Sequence, residues 1–179
     1  NVFEAISNGA SEGMKVAINV TAMILALVAL VAFIDWILGL GGMFCYNYIP
    51  GCSHLTFLSH LSLKLILGKI FAVFAIIIGV PLHDASTVGA LMGTKLVLNE
   101  MVAYVGLTHV AQTLDPKSFM LASFALCSFG NFGSIAIQIG GIGELAPNQK
   151  KNLARLGLRA LICGTLSCYL SAAIVGVLL

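Results

Sequence analysis

Charge is what this sequence has least of. Only 9% of its 179 residues are charged, against roughly 25% in soluble domains. With 59% hydrophobic residues and a mean hydropathy of +1.03, a water-soluble fold of this size could not hide its apolar surface. That excludes a soluble enzyme and a disordered chain. A net charge of +2 is too small for the electrostatic footprint of a nucleic-acid binder. The solvent for most of the chain is expected to be a lipid bilayer.

Other absences narrow the chemistry. The five cysteines form no C-x-x-C pair and no Cys/His cluster with zinc spacing. No serine lies in a G-x-S-x-G elbow. His54, His60, His83 and His109 are scattered near segment ends, where wet structural histidines are ordinary. Gly140-Gly141-Ile142-Gly143 has no preceding strand, so it reads as a helix end rather than a dinucleotide fingerprint. The chain opens on Asn1 without the pattern of a signal peptide, and its composition allows a membrane-embedded piece whose other half is missing.

What is present is a set of apolar segments. A spanning helix needs about 20 apolar residues. Residues 16–38 read as one such helix, breaking at Gly39, Gly41 and Gly42. Met43 to His60 reads as an interfacial loop with aromatic anchors. Residues 63–79 read as an interfacial helix with a stripe of Lys64, Gly68, Ala72, Ala75 and Gly79, ended by Val80-Pro81.

Residues 84–112 are helix-like but carry Lys95, Asn99 and Glu100 in the middle. Each arm is too short to span, so the segment reads as a re-entrant helical hairpin; one helix with a buried charge is the rival. Residues 118–143 are long enough to span but hold Ser128, Gly130, Asn131, Gly133 and Ser134 in mid-course, the mark of a discontinuous helix. Residues 150–179 form the last spanning helix, with a small-residue stripe at Gly164, Cys168, Ala172 and Gly176. The fold class is an all-α membrane protein, with spanning helices, a re-entrant hairpin and a discontinuous helix.

Lys150, Lys151, Arg155 and Arg159 against Glu144 place the connection before the last helix in the cytoplasm. The C-terminus, the open end of the hairpin and the Cys45–Cys52 loop then lie outside. An outside loop is usually oxidising, so a Cys45–Cys52 disulfide is expected. Cys127, Cys163 and Cys168 lie in apolar runs and read as buried packing residues.

Glu100 is the foremost chemical candidate. An ionised acid in mid-membrane costs about 2.5–3.5 kcal/mol on translocon scales, so it is expected to face a cavity, an ion or a substrate; pairing with Lys95 or with an interfacial group is the structural alternative. Asn131 and Ser134 can donate and accept hydrogen bonds and share a face if the backbone is helical. Polar glue between helices is their alternative role. Phe129 is a candidate apolar wall, and Gln138 lies one turn beyond Ser134. Asn99 joins them as a further candidate.

Gly93-Thr94-Lys95-Leu96-Val97-Leu98-Asn99-Glu100-Met101-Val102-Ala103-Tyr104 resembles the signature of concentrative nucleoside transporters, departing at Met101, where phenylalanine is usual. Ser123 through Ala136 resembles that family's broken seventh helix, Gly140–Gly143 with Ala146-Pro147 the turn after it, and Asn8–Ser11 with Ala17–Val20 the entry to its sixth helix. The resemblance covers nearly the whole chain. It implies a half of an inverted-repeat transporter: the sixth helix, which is the trimer scaffold, plus the second repeat. It further implies that Glu100, Asn131 and Ser134 hold the ribose, with Phe129 near the nucleoside. Cation-coupled symport across a plasma or bacterial inner membrane is implied, with sodium expected ahead of the proton as coupling ion and no cofactor. The implied partners are a nucleoside, the bilayer, two further copies and the N-terminal half of the same transporter, which would read the base and build the principal sodium site. Two other readings are a gate-type membrane domain with a different ligand or an assembly role, and an intramembrane enzyme using Glu100 as acid or base. The enzyme reading lacks any nucleophile–base pair.

Overall fold

The computed structural model describes residues 1–48 and 61–179. Among these residues every regular element is helical. The order is α1 (Val2–Tyr48), α2 (Leu63–Ile77), α3 (Leu82–Val97), α4 (Glu100–Val110), α5 (Pro116–Leu126), α6 (Phe132–Leu145), a 3-10 turn at Pro147–Gln149, and α7 (Lys150–Leu178).

Helix α1 runs 47 residues without a break, about 70 Å at 1.5 Å per residue. The expected stop at Gly39, Gly41 and Gly42 does not occur. A helical glycine costs about 1 kcal/mol relative to alanine, while backbone groups left unpaired in a lipid setting cost several kcal/mol each, so the helix carries on. Met43 to Tyr48, expected in a loop, are its last turns. Residues 49–60 lie outside the described residues, and with them Cys52, His54 and His60; the expected disulfide falls there. Only Val31 and Gly42 of α1 are buried.

Helix α2 starts with Ser62 accepting the Leu65 N–H at 3.2 Å, and Asp35 of α1 accepts the Leu63 N–H. Its end is a Schellman turn: Val80 N–H to Ala75 O and Gly79 N–H to Ile76 O, both 3.0 Å, with Gly79 at φ 102°. The small stripe of α2 is a packing seam. A Cβ on Gly89 would sit 2.4 Å from the Ala72 nitrogen and one on Gly93 2.9 Å from the Gly68 nitrogen, so α2 and α3 touch backbone to backbone.

The α3–α4 pair is the expected hairpin of two short arms. Asn99 caps α4 by accepting the Val102 N–H at 2.9 Å. The break between α5 and α6 is also as expected, spanning residues 127–131. The core lies where the hairpin, α5 and α7 meet, around Met92, Leu107, Leu121, Leu126 and Tyr169. Helix α6 continues through Gly140–Gly143 to Leu145, two residues beyond the expected end; Pro147 then stops it. Of the α7 stripe, Cys168 and Ala172 are buried, and a Cβ on Gly176 would press the Ile78 carbonyl at 2.4 Å. Gly164 instead borders open space. Among the described residues two helices, Val2–Tyr48 and Pro147–Leu178, are long and apolar enough to cross a membrane.

Only Cys168 of the three cysteines expected in the core is buried; Cys127 and Cys163 are exposed. A side chain facing lipid or a neighbouring subunit has the same hydropathy as one in the core.

Candidate functional site

The hairpin tip and the helix break come together. Glu100 stands at the first residue of α4 and Asn131 at the N-cap of α6, so two helix N-termini, each with partial positive charge, bracket the carboxylate. Asn131 Nδ2–H donates to Glu100 Oε2 at 2.9 Å. Asn131 Oδ1 accepts from the Ser134 N–H at 2.7 Å and from its hydroxyl at 3.1 Å; that hydroxyl also contacts the Phe129 carbonyl. Asn131 is 4% exposed, so its amide is fixed by this network, while Glu100 is half-buried.

Glu100, Asn131 and Ser134 line a cavity of about 420 Å³ together with Asn99, Phe129 and apolar side chains of α1. Phe129 is 78% exposed and also borders a second space of about 240 Å³, toward α7, that includes Gln138. The break thus presents Phe129, Asn131 and Ser134 to both spaces. Every residue proposed from sequence for the small-molecule site lies here, including Asn99, which is exposed at the tip.

The remaining carboxylate capacity decides what the site can do. Glu100 Oε1 accepts no hydrogen bond from the described residues, whereas Oε2 holds Asn131. An ionised carboxylate accepts up to about four hydrogen bonds. The site therefore offers acceptor capacity to the hydrogen-bond donors of a ligand, lined on one side by apolar surface.

Two arrangements were not legible in the sequence. Lys95 forms no ion pair with Glu100 among the described residues. Its Nζ donates instead to the Ala125 carbonyl at 3.0 Å and to Ser128 Oγ at 2.7 Å. At the base of the hairpin, buried Asp84 accepts the Asp115 N–H at 3.0 Å, and His83 Nε2 lies 3.0 Å from Asp115 Oδ2 and 3.5 Å from Asp84 Oδ2. Among the described residues these three have metal-ligand spacing; they contact one another and tie the hairpin's two ends together. Burial works to raise the Asp84 pKa, but the Ser118 side chain, the Asp115 N–H and His83 outweigh it, and the carboxyl is held below its ordinary value. A His-Asp pair opening a helix was the one available sequence signal.

Comparison with known proteins agrees with this architecture. The uncharacterized transporter YutK of Bacillus subtilis is 46% identical over 98% of this chain and 41% of its own length. The nucleoside permease NupC of Helicobacter pylori is 39% identical over 98% and 41%. CNTnw, as a double variant solved in an outward-facing state, superposes with a TM-score of 0.82 at 38% identity, covering 98% of this chain and 42% of that one. Its inward-facing substrate-bound state gives 0.67 at 39% identity, covering 98% and 41%. The chain spans about two-fifths of the length of these relatives. Residues 1–176 match the family model described as "Na+ dependent nucleoside transporter C-terminus", and with the hairpin and broken helix in place the chain belongs to that family of membrane transporters.

Proposed function

We propose that this chain forms the C-terminal half of a nucleoside site in a cation-coupled symporter, with the ribose held between the hairpin tip and the helix break. The observation that carries the reading is the Glu100–Asn131 contact of 2.9 Å on the wall of a cavity of about 420 Å³. Ribose hydroxyls are neutral donors. A half-buried carboxylate gains from accepting them, because charge-assisted hydrogen bonds are roughly twice as strong as neutral ones. Ser134 and the second Asn131 N–H extend the polar edge, and Phe129 supplies apolar surface beside it.

The coupling ion is sodium in this reading, with the proton as the alternative; the description of the matching family model supports sodium. The full transporter is a multi-pass protein of a plasma or bacterial inner membrane with its C-terminus outside, in line with the basic run Lys150–Arg159. Helix α1 leaves large apolar side chains such as Phe33, Trp36 and Leu40 uncovered, which suits a scaffold helix facing lipid and two further copies. The N-terminal half supplies the other wall of the site. The better fit to the outward-facing relative than to its inward-facing state favours an arrangement open to the outside.

The test is thermal stabilisation of the detergent-purified complete transporter by uridine and adenosine, with and without sodium. A nucleoside shift that requires sodium is the expected result. A shift indifferent to sodium moves the coupling to protons. A folded protein that no nucleoside stabilises returns the gate-type reading.

A further inference from the structure

Lys95 is the largest side chain fully buried in the described structure, at 1% exposure. No carboxylate pairs with it among the described residues. A buried charge without a counter-ion is costly unless fixed dipoles replace its water, and here they do. Helix α5 ends at Leu126, so its last carbonyls lack amides one turn ahead and carry the partial negative charge of a helix C-terminus. The Cys127 N–H takes the Phe124 carbonyl and the Ser128 N–H takes that of Leu126. The Ala125 carbonyl is left to side chains: Lys95 Nζ at 3.0 Å and Cys168 Sγ at 3.3 Å. An ammonium has three N–H donors, and three acceptors surround this one: the Ala125 carbonyl, Ser128 Oγ at 2.7 Å and Cys168 Sγ at 3.7 Å. The Tyr169 ring centroid lies 5.9 Å away.

These fixed dipoles take the place of water around the ammonium, and the lysine stem tethers that charge to the hairpin. The tether also sets distances. Lys95 and Glu100 flank the hairpin tip, while Ala125–Ser128 and Asn131 flank the break, so two contacts join the same two elements. The ammonium contact is buried, and the Glu100–Asn131 contact is open to the cavity.

We propose that the Lys95 ammonium is a built-in cation at the α5–α6 break, a positioning residue that holds Glu100 and Asn131 at ribose-binding separation; removing it leaves a vacancy that a free alkylammonium fills. The inference rests on the nucleoside reading. It assigns this half of the transporter a cation site that no dissolved ion needs to occupy.

The test is uridine titration of the purified complete transporter, comparing the wild type with Lys95→Met and Lys95→Ala. Lys95→Met keeps the length and removes the charge, and it is expected to weaken uridine binding about tenfold or more while the oligomer stays intact by gel filtration. Lys95→Ala removes the equivalent of propylammonium. Added propylammonium is expected to restore uridine affinity, and 1-propanol, of the same shape without charge, is not. Wild-type affinity in Lys95→Met overturns the proposal. So does rescue by propanol equal to that by propylammonium, which would make the residue a space-filler, and so does failure of propylammonium to rescue. If Lys95→Ala cannot be isolated, Lys95→Met decides alone: weakened uridine binding at an unchanged melting temperature sustains the proposal, and any other pairing overturns it. A wild-type protein that binds no nucleoside overturns both readings, whereas wild-type binding with an indifferent Lys95→Met overturns only this one.

Discussion

Glu100 and Asn131 lie 31 residues apart in the chain and 2.9 Å apart in space, carboxylate oxygen to amide nitrogen. One stands at the N-terminus of the hairpin's second arm and the other at the N-terminus of the second half of the broken helix. Their contact joins the two polar ends on one cavity wall, so separating hairpin from break would take that wall apart.

Glu100→Gln keeps an acceptor oxygen and the side-chain volume but removes the charge. Hydrogen bonds to a charged group are worth about 1.5–3 kcal/mol against about 1 for neutral ones, so uridine affinity in the complete transporter should fall about tenfold. The loss should be specific to the hydroxyls. In competition assays 2′,3′-dideoxyuridine should bind the wild type far more weakly than uridine, and the gap should shrink in the variant. Equal losses for both ligands would take Glu100 off the ribose.

Asn131→Asp separates the capping role from the ligand role. Aspartate caps a helix about as well as asparagine, so α6 should stay formed. The new carboxylate faces Glu100 where an N–H donated before, and two carboxylates sharing a site raise one pKa strongly. Uridine binding should collapse at pH 8 and recover in part near pH 5, when the pair shares a proton. A pH-independent loss, accompanied by lower helicity, would reduce Asn131 to its capping role.

Gly89→Ala tests the seam under the hairpin. The added methyl carbon would lie 2.4 Å from the Ala72 nitrogen, and backbone cannot swing aside as a flexible side chain can. Overpacking costs about 1–3 kcal/mol, more than the roughly 1 kcal/mol alanine contributes as a helix former. The melting temperature should drop by several degrees. A stabilised variant would mean that α2 and α3 are further apart than described.

Hydropathy and polar punctuation were enough to read the hairpin and the broken helix. Glycine, asparagine and serine inside apolar runs located the hairpin tip and the break, because a backbone that leaves the helix in lipid must find polar partners. The same logic failed at Gly39–Gly42, where glycines sit inside a helix that continues to Tyr48; local propensity is the weaker force there. Burial could not be read for Cys127 or Cys163, since apolar character in a membrane chain does not separate core from outer surface. The partners of Lys95, 30 and 33 residues away, and the Asp84–Asp115 contact, 31 residues away, depend on tertiary placement that periodicity does not carry. Glu100, Asn131 and Ser134 stand out because polar residues in such surroundings are costly and few; that they line one cavity is a matter of tertiary placement.

The base of the hairpin should be acid-sensitive through Asp84. Its carboxyl is held below the ordinary 3.8, so the folded state binds that proton less readily than the unfolded chain does. The stabilisation is then fully present above the unfolded value and is lost as pH falls through the folded one. At pH 7 Asp84→Asn should cost about 1–3 kcal/mol, since the Asp115 N–H and His83 lose a charged partner. As pH falls through the folded value, which lies below 3.8, the wild type loses that charge too, and the melting curves of wild type and variant should converge. The local readout is hydrogen-exchange protection at the Asp115 amide, which the wild type loses only as pH falls through the folded value and which the variant lacks at neutral pH. Parallel melting curves down to pH 2 would show that Asp84 is not the titrating clamp.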